Sequence, residues 1–596
     1  MKLRYTLLAC FLTVRLLAQT DPDLPRYLTD EEKLLMQQPA APGVVLQGGI
    51  TNPPPVPVRA MAEWEELQAL VVTWRSEPVI LTEIVRAARQ ECRVIVSCNS
   101  QTVANDAKNV LTAANVDISS NVEFVVTPSN TVWVRDYGPN CVYANDVDSL
   151  YLVDWIYNRP RPKDDSLSRA VAAFLDVPLY ETRQAPLDLV HTGGNFMSDG
   201  MGLAFSSKLV LDENDQTNTF GSSNHSEAEI DGIMHDFMGI NRYPKMNALP
   251  YDGIHHIDMH MKLLDEQTLL VGKYPEGVSD GPQIEANLAY ILDNYKTSFG
   301  TPFKVVRIPM PAFYNNTQYP PYPGAAALYP TYANAVFVNK TVILPVYDNP
   351  LDAAAIDTFQ QYLPGYNVVP VNCESIIFSG GAVHCITKEI GVPDPLRIVH
   401  QELPCLKTYQ WPLGYPVWAT LEHRSGIASA KIYYATNPTG PWQSVDLPVY
   451  PLNDTTWTHR GFIPHQPDGA TVYYYIEATA NSGKTITRPL PAPKGWWSFC
   501  VNETTATEEA SATQLLDIYP NPASAITVIP VSADTKTPGS IILLNALGQQ
   551  VETVFNGEFP AGESNHFIDA GRYPAGTYFV QLQTGSQTVL KKVVIQ

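Results

Sequence analysis

The chain has 596 residues, 45% hydrophobic, 17% charged and 10% aromatic, with a formal net charge of −21. That length exceeds one ordinary core and predicts about three or four domains. The acidity, with no Lys/Arg cluster able to neutralise phosphates, excludes nucleic acid as a partner and weakly favours cationic substrates.

The start, MKLRYTLLACFLTVRLLAQ, reads as a secretory signal over residues 1–19, with Lys2 and Arg4 ahead of an apolar run and cleavage expected near Gln19. Loss of Lys2, Arg4 and Arg15 leaves a charge of about −24. LLAC, ending at Cys10, resembles a lipoprotein cleavage box, but its apolar run is too short. No other segment approaches the ~18 apolar residues of a membrane span, so an exported protein without a transmembrane segment is expected. Eight cysteines become seven without Cys10: Cys92, Cys98, Cys141, Cys373, Cys385, Cys405 and Cys500. An odd number in an oxidising compartment leaves at least one thiol unpaired, and no Cys/His spacing suits zinc.

Residues 20–60 form a leader ending in a proline-rich linker, TNPPPVPVRA. Over residues 61–395, strand-like runs (LQALVVTW, CRVIVSC, NVEFVVTP, SLYLVDWIY, QTLLVGKY, YNVVPVNC) alternate with helical patterns. PVILTEIVRAARQEC puts Ile80, Ile84 and Ala87 on one face behind Pro78. PQIEANLAYILDNYKTSFG does the same with Ile284, Leu288, Ile291 and Tyr295. The alternation predicts an α/β domain. Residues 396–503 lose the helical period and alternate as a small β-sandwich does. A polar linker, 504–513, leads to a compact all-β unit over 514–596.

Four stretches of the α/β region are polar where a core would be apolar: NTVWVRDYGPN, GIHHIDMHMK, TYANAVFVN and SGGAVHC. His256 and Asp258 are two apart, which on a strand places both on one face. A carboxylate beside an imidazole favours its charged form and suits acid/base work. Gly380 and Gly381 permit close backbone approach ahead of Cys385. Each residue alone has a plain structural explanation: a lone Cys is most often core, HxD is a polar strand face, and Asp136 could simply pair with Arg135.

Together, WVRDYGP, GGNFMSDG, HIDMHMK, YAN and GGAVHCIT resemble, in order and spacing, the guanidine-modifying superfamily, in its agmatine deiminase and Porphyromonas-type peptidylarginine deiminase group. That resemblance implies a five-module α/β-propeller with a central site. It implies Cys385 as the nucleophile on a guanidinium carbon, His256 as the proton carrier, and Asp136 and Asp258 as carboxylates gripping the nitrogens. Asn334 would orient the nucleophile, Trp133 would line the pocket and Asp199 would stand behind it. The scheme needs no cofactor and no metal. DWIYNRPRPKDD places Arg159 and Arg161 where the deiminase binds the α-carboxylate of a C-terminal arginine, and arginine forks suit a carboxylate.

The last unit resembles the type IX secretion C-terminal sorting domain through YPNP, NALGQQV, PAGTYFVQL and KKVVI. It makes the type IX machinery a partner and the cell surface or medium a destination, reached through the periplasm. The expected function is therefore a secreted protein-arginine deiminase acting on peptides or proteins with arginine, C-terminal by preference. Alternatives are an exported agmatine or free-arginine deiminase, a cysteine peptidase, or a non-catalytic surface-binding protein on a degenerate form of this enzyme scaffold.

Overall fold

The computed structural model describes residues 23–36, 49–313, 318–321, 329–407, 413–450, 457–502, 513–524, 526–533, 535–546, 548–584 and 587–596. Its contacts divide the chain into one unit of residues 1–403, 416–463 and 471–499 and another of 404–415, 464–470 and 500–596.

In the first unit, five small sheets repeat one plan: an antiparallel pair, a helix, and a strand returning parallel to the second. The first pairs Asn140–Ala144 with Ser149–Asp154, crosses through helix Leu167–Leu175 and returns as Leu179–Glu181. The second uses Met197–Ser198, Ala204–Ser207 and Lys245–Met246. The third uses Met261–Asp265, Thr268–Lys273 and Lys304–Pro309. The fourth uses Val336–Val338, Thr341–Val346 and Asn367–Asn372. The fifth joins distant parts of the chain: Lys388–Gly391 lies antiparallel to Leu67–Trp74, beside which Arg93–Cys98 and then Val122–Val126 run parallel. Parallel pairs require a crossover, and helices Pro78–Ala88, Leu167–Leu175, Gly281–Asn294 and Asp352–Tyr362 each pack on a strand of the sheet they bridge.

The local rules account for the elements. Leu67–Trp74 is buried along nearly its whole length, as a strand covered on both faces must be. Helix Pro78–Ala88 starts on Pro78 and buries Ile80, Leu81, Ile84 and Val85, while Ala87 lies at the half-buried edge of that face. Helix Glu227–Met238 opens on a capping box between Ser226 and Glu229. It ends at Gly239 with φ 70°, where a Cβ would lie 1.8 Å from the Val58 carbonyl oxygen. Only glycine meets both demands.

Two expectations need correction. The stretch read as a linker continues past Pro57 into a strand, Val58–Ala60, that pairs with Asn140–Ala144. Once the prolines end, the N–H groups are free to bond, and Arg59 is anchored by Glu65 at 2.6 Å. Asp258 lies on a 3-10 turn, Ile257–Met259, and His256 is the residue that opens it, so the two do not share a strand. Asp252 accepts hydrogen bonds from the backbone N–H groups of Ile254 and His255, both at 3.0 Å, and His255 takes φ 64°. That aspartate-held turn outweighs the strand propensity of the neighbours.

Residues 397–499 of this unit carry strands and no helix among the described residues, including Arg397–His400, Ile427–Ala435, His459–Ile463 and Thr471–Ala480. The second unit contains the Cys405–Cys500 disulfide, whereas Cys92, Cys98, Cys141, Cys373 and Cys385 are free and buried. Its residues 513–596 form two antiparallel sheets, one centred on Ile526–Ala533 with Gly562–Asp569, the other on Thr537–Asn545 with Gly576–Thr584. Ile529, Val531, Ile541, Leu543, Val580 and Val593 fill the core between them.

Candidate active site

A short turn or loop leads into the first strand of each module. These are Val134–Tyr137, Gly193–Asn195, Ile257–Met259, the loop at 331–335, and His384–Ile386. Val134–Tyr137 packs against both Gly193–Asn195 and His384–Ile386, and Gly193–Asn195 packs against Ile257–Met259. Asn334 links the remaining neighbours. Its Nδ2 donates to the Asp258 carbonyl at 3.2 Å, and its Oδ1 accepts from the N–H groups of His384 at 3.1 Å and Cys385 at 3.4 Å. Side chains far apart in sequence thus meet because each sits at the same place in its own module.

Asp136, His256, Asp258, Asn334 and Cys385 come together, all buried. Cys385 Sγ lies 3.2 Å from Asn334 Oδ1 and 3.6 Å from Asp258 Oδ2. Glycine makes this crowding possible. A Cβ at Gly381 would sit 2.8 Å from Cys385 Sγ, and one at Gly194 would sit 2.7 Å from His256 Nδ1.

The occupant of the cluster is an arginine of the leader. Arg26 donates from Nε and Nη2 to the two oxygens of Asp136, at 2.9 and 2.8 Å. It reaches Asp258 at 3.2 to 3.3 Å, Cys385 Sγ from Nη1 at 2.6 Å and His256 Nδ1 from Nη2 at 2.6 Å. The fork on Asp136 is the bidentate geometry that makes guanidinium–carboxylate pairs specific. Sequence reasoning missed Arg26 because nothing in a leader's composition marks one arginine as a ligand.

Arg159 and Arg161 stand beside the cluster. Arg159 Nε donates to the Arg26 carbonyl at 3.0 Å, while Arg161 Nη2 donates to the carbonyls of Pro25 at 2.7 Å and Tyr27 at 3.2 Å. The Trp133 indole N–H donates to the Leu24 carbonyl at 2.9 Å. Asp199 is not brought to the cluster. Its carboxylate organises a turn by accepting from Met201 N at 2.7 Å and Leu203 N at 3.0 Å, and it bonds Ser298. His384 also went unrecognised, although it directly precedes the cysteine. Its Nδ1 meets Asp258 Oδ2 and its Nε2 meets Glu63 Oε1, both at 2.9 Å, so the imidazole fixes the orientation of Asp258.

The electrostatics follow from burial opposed by charge. Burial pushes Asp136 and Asp258 up, but Arg26 and the neighbouring histidines outweigh it and hold both carboxyls below their usual range. Burial and then the Arg26 cation depress His256 to about 4, so its imidazole is neutral. Burial raises the Cys385 thiol well above its ordinary value, and the Arg26 guanidinium is the main influence in the opposite direction. A bound guanidinium therefore favours the thiolate that would attack it. Among the described residues, Glu63, His384 and Glu389 bring metal-ligand atoms within 4.8 Å of one another. Both carboxylates already face cations there: Lys262 beside Glu63, and Arg135 at 2.7 Å from Glu389.

A family model described as Porphyromonas-type peptidyl-arginine deiminase matches residues 59–391, and one for a secretion system C-terminal sorting domain matches residues 517–596. The "Putative agmatine deiminase" of Yersinia pseudotuberculosis is 25% identical over 394 residues, covering 60% of this chain and 99% of that protein. A solved structure titled as that of a "putative agmatine deiminase" superposes with a TM-score of 0.50 at 21% identity, covering 58% of this chain and 99% of that one, and shows the fold. The arginine deiminase structure from Porphyromonas gingivalis, also titled "putative", gives 0.47 at 21% identity, covering 56% and 98%. The sorting domain makes the chain a client of the type IX secretion machinery, secreted or attached to the outer-membrane surface. No helix among the described residues is long and apolar enough to cross a membrane.

Proposed function

Since the chain belongs to the Porphyromonas-type peptidyl-arginine deiminase family, hydrolases that act on guanidines, we propose that it converts arginine in peptides or proteins to citrulline and ammonia. The observation that carries this reading is the peptide arginine, Arg26, whose guanidinium lies between Asp136 and Asp258 with Cys385 and His256 both at 2.6 Å.

In the proposed mechanism the two carboxylates hold the guanidinium plane and spread its charge. Cys385 adds to the central carbon, and Asn334, bonded to Sγ and to the cysteine's own N–H, fixes the sulfur's position. His256, neutral beforehand, takes the Cys385 thiol proton as the sulfur adds and hands it to the departing nitrogen, and ammonia leaves. His256 then takes a proton from the water that hydrolyses the covalent thiouronium, releasing citrulline and the thiol. A guanidinium is resonance-stabilised, and this attack gains from a soft nucleophile and from positioning. We also infer that the five modules surround the site as an α/β-propeller, a reading supported by the mutual packing of their leading turns. An Ig-like module over 396–503 and the sorting domain over 514–596 complete the proposed architecture.

The preference for C-terminal arginine is supported by Arg159 and Arg161. A terminal carboxylate in place of the Arg26 carbonyl would receive Arg159, and its second oxygen would come within the reach of Arg161. Agmatine, the substrate named for the Yersinia relative, offers these arginines nothing. The test is competition among a peptide ending in arginine, its C-terminal amide, and agmatine. The free-acid peptide should be preferred, and preference for agmatine would replace this reading with the agmatine deiminase one.

A further inference from the structure

Resting on the reading of the cluster as a guanidinium site, we propose that residues 23–36 are a built-in inhibitory ligand that imitates a C-terminal arginine and keeps the enzyme latent. Two separate parts of the segment supply the two halves of such a ligand. Arg26, fully buried, supplies the guanidinium. Glu32 supplies the carboxylate, at 2.7 Å from Arg161 Nε and 3.0 Å from its Nη2.

The segment is shaped to hold both at once. Thr29 and Glu32 cap helix Asp30–Met36 reciprocally: Glu32 N–H donates to Thr29 Oγ1 at 3.2 Å and Thr29 N–H to Glu32 Oε2 at 2.9 Å. The same carboxylate that starts the helix therefore latches onto Arg161. Along the extended part, Asp23 pairs with Arg75 at 3.2 Å, the Leu24 carbonyl receives Trp133, and Arg26 N–H donates to the Ser379 carbonyl at 2.8 Å. Asp136, Asp258, Cys385, Trp133, Arg159 and Arg161 are thereby all engaged by the segment.

The arginine is held for inhibition rather than turnover. Nη1 donates to Cys385 Sγ, so the sulfur meets the guanidinium at a nitrogen edge, whereas addition requires approach to the face of the carbon. The signal cleavage expected near Gln19 lies ahead of Asp23 and leaves the segment attached. Because the ligand is tethered, its effective concentration is of millimolar order, and micromolar substrate competes poorly.

Full-length wild type, Arg26→Ala and Glu32→Ala should be compared by the alkylation rate of Cys385 with iodoacetamide, followed by peptide mapping, and by citrulline release from a peptide ending in arginine. Arg26→Ala should alkylate and turn over at least about tenfold faster than wild type, with Glu32→Ala between them. A synthetic peptide of residues 23–36 should restore protection to Arg26→Ala. Equal alkylation of all three proteins would overturn the proposal, as would citrulline at position 26 of the wild type, which would make the segment a substrate. Faster alkylation with no citrulline from any form would instead remove the deiminase reading, overturn the claim of latency and leave the segment only as a plug of the pocket.

Discussion

The centre of the α/β domain and the C-terminal residues 513–596 keep their buried groups differently. At the centre, Arg26, Arg135, Asp136, Asp258, His256, His384 and Glu389 are all buried within a small volume. In residues 513–596 the described buried side chains are apolar apart from Thr513, Thr527 and Thr584. Burying an ion costs several kcal/mol unless a partner and hydrogen bonds offset it. A unit that serves as an export address has no use for such groups, and an alternating apolar pattern suffices. Where charge is buried and paired, the fold is arranged around chemistry.

The sharpest way to break this contrast is at the nucleophile. Cys385→Ala should lower citrulline formation by at least about 10⁴-fold with little change in thermal stability, because only sulfur forms the intermediate. His256→Ala should lower it by about 10²- to 10⁴-fold. A milder loss than His255→Ala would mean that the wrong histidine has been assigned.

Next is a group in which burial outweighs the opposing charge of Asp258. His260 is buried near Asp258, neither ring nitrogen has a hydrogen-bond partner, and burial lowers it to about 4. The unfolded chain takes up that proton near 6.5, so this contribution is complete above pH 6.5 and is lost as pH falls towards 4. Urea unfolding at pH 6.5 and 4.5 should show wild type losing about 2 kcal/mol more than His260→Phe. Parallel losses would contradict the assignment.

In an Arg26→Ala background, where the pocket is free, Arg159→Ala and Arg161→Ala should each cost roughly ten- to a hundred-fold in specificity for a peptide ending in arginine. Amidating that peptide should cost the Arg26→Ala parent about as much and the double variants little more, since one contact cannot be lost twice. Additive losses would place the carboxylate elsewhere. Deleting residues from Leu515 onward should have the smallest catalytic effect, within about twofold, because no residue of the candidate site lies in the sorting domain, residues 517–596. The truncated chain should remain in the periplasm, and its arrival at the surface would refute the sorting role.

Sequence pattern revealed much of this contrast and stopped at identifiable points. Leu67–Trp74 and helix Pro78–Ala88 could be read because burial imposes their periodicity locally. Cys385, His256, Asp136, Asp258 and Asn334 could be named only as motifs in order, since their meeting depends on five distant turns. The turn carrying His256 reads as strand because its determinant, the Asp252 carboxylate, lies several residues upstream. Asp199 stands in a suggestive motif, yet its carboxylate is consumed by its own turn. Arg26 left no trace at all: its role depends on where a leader docks, and no local pattern encodes that.

The most direct measurement is mass spectrometry of a peptide ending in arginine after incubation with full-length Arg26→Ala protein. The account predicts a gain of roughly one dalton on the arginine as an imine nitrogen is exchanged for oxygen, with an equal amount of ammonia and an intact backbone. The gain should disappear when Cys385→Ala is added. An unchanged peptide would leave a binding protein on this scaffold, and a shortened one would leave a peptidase; either would contradict the account.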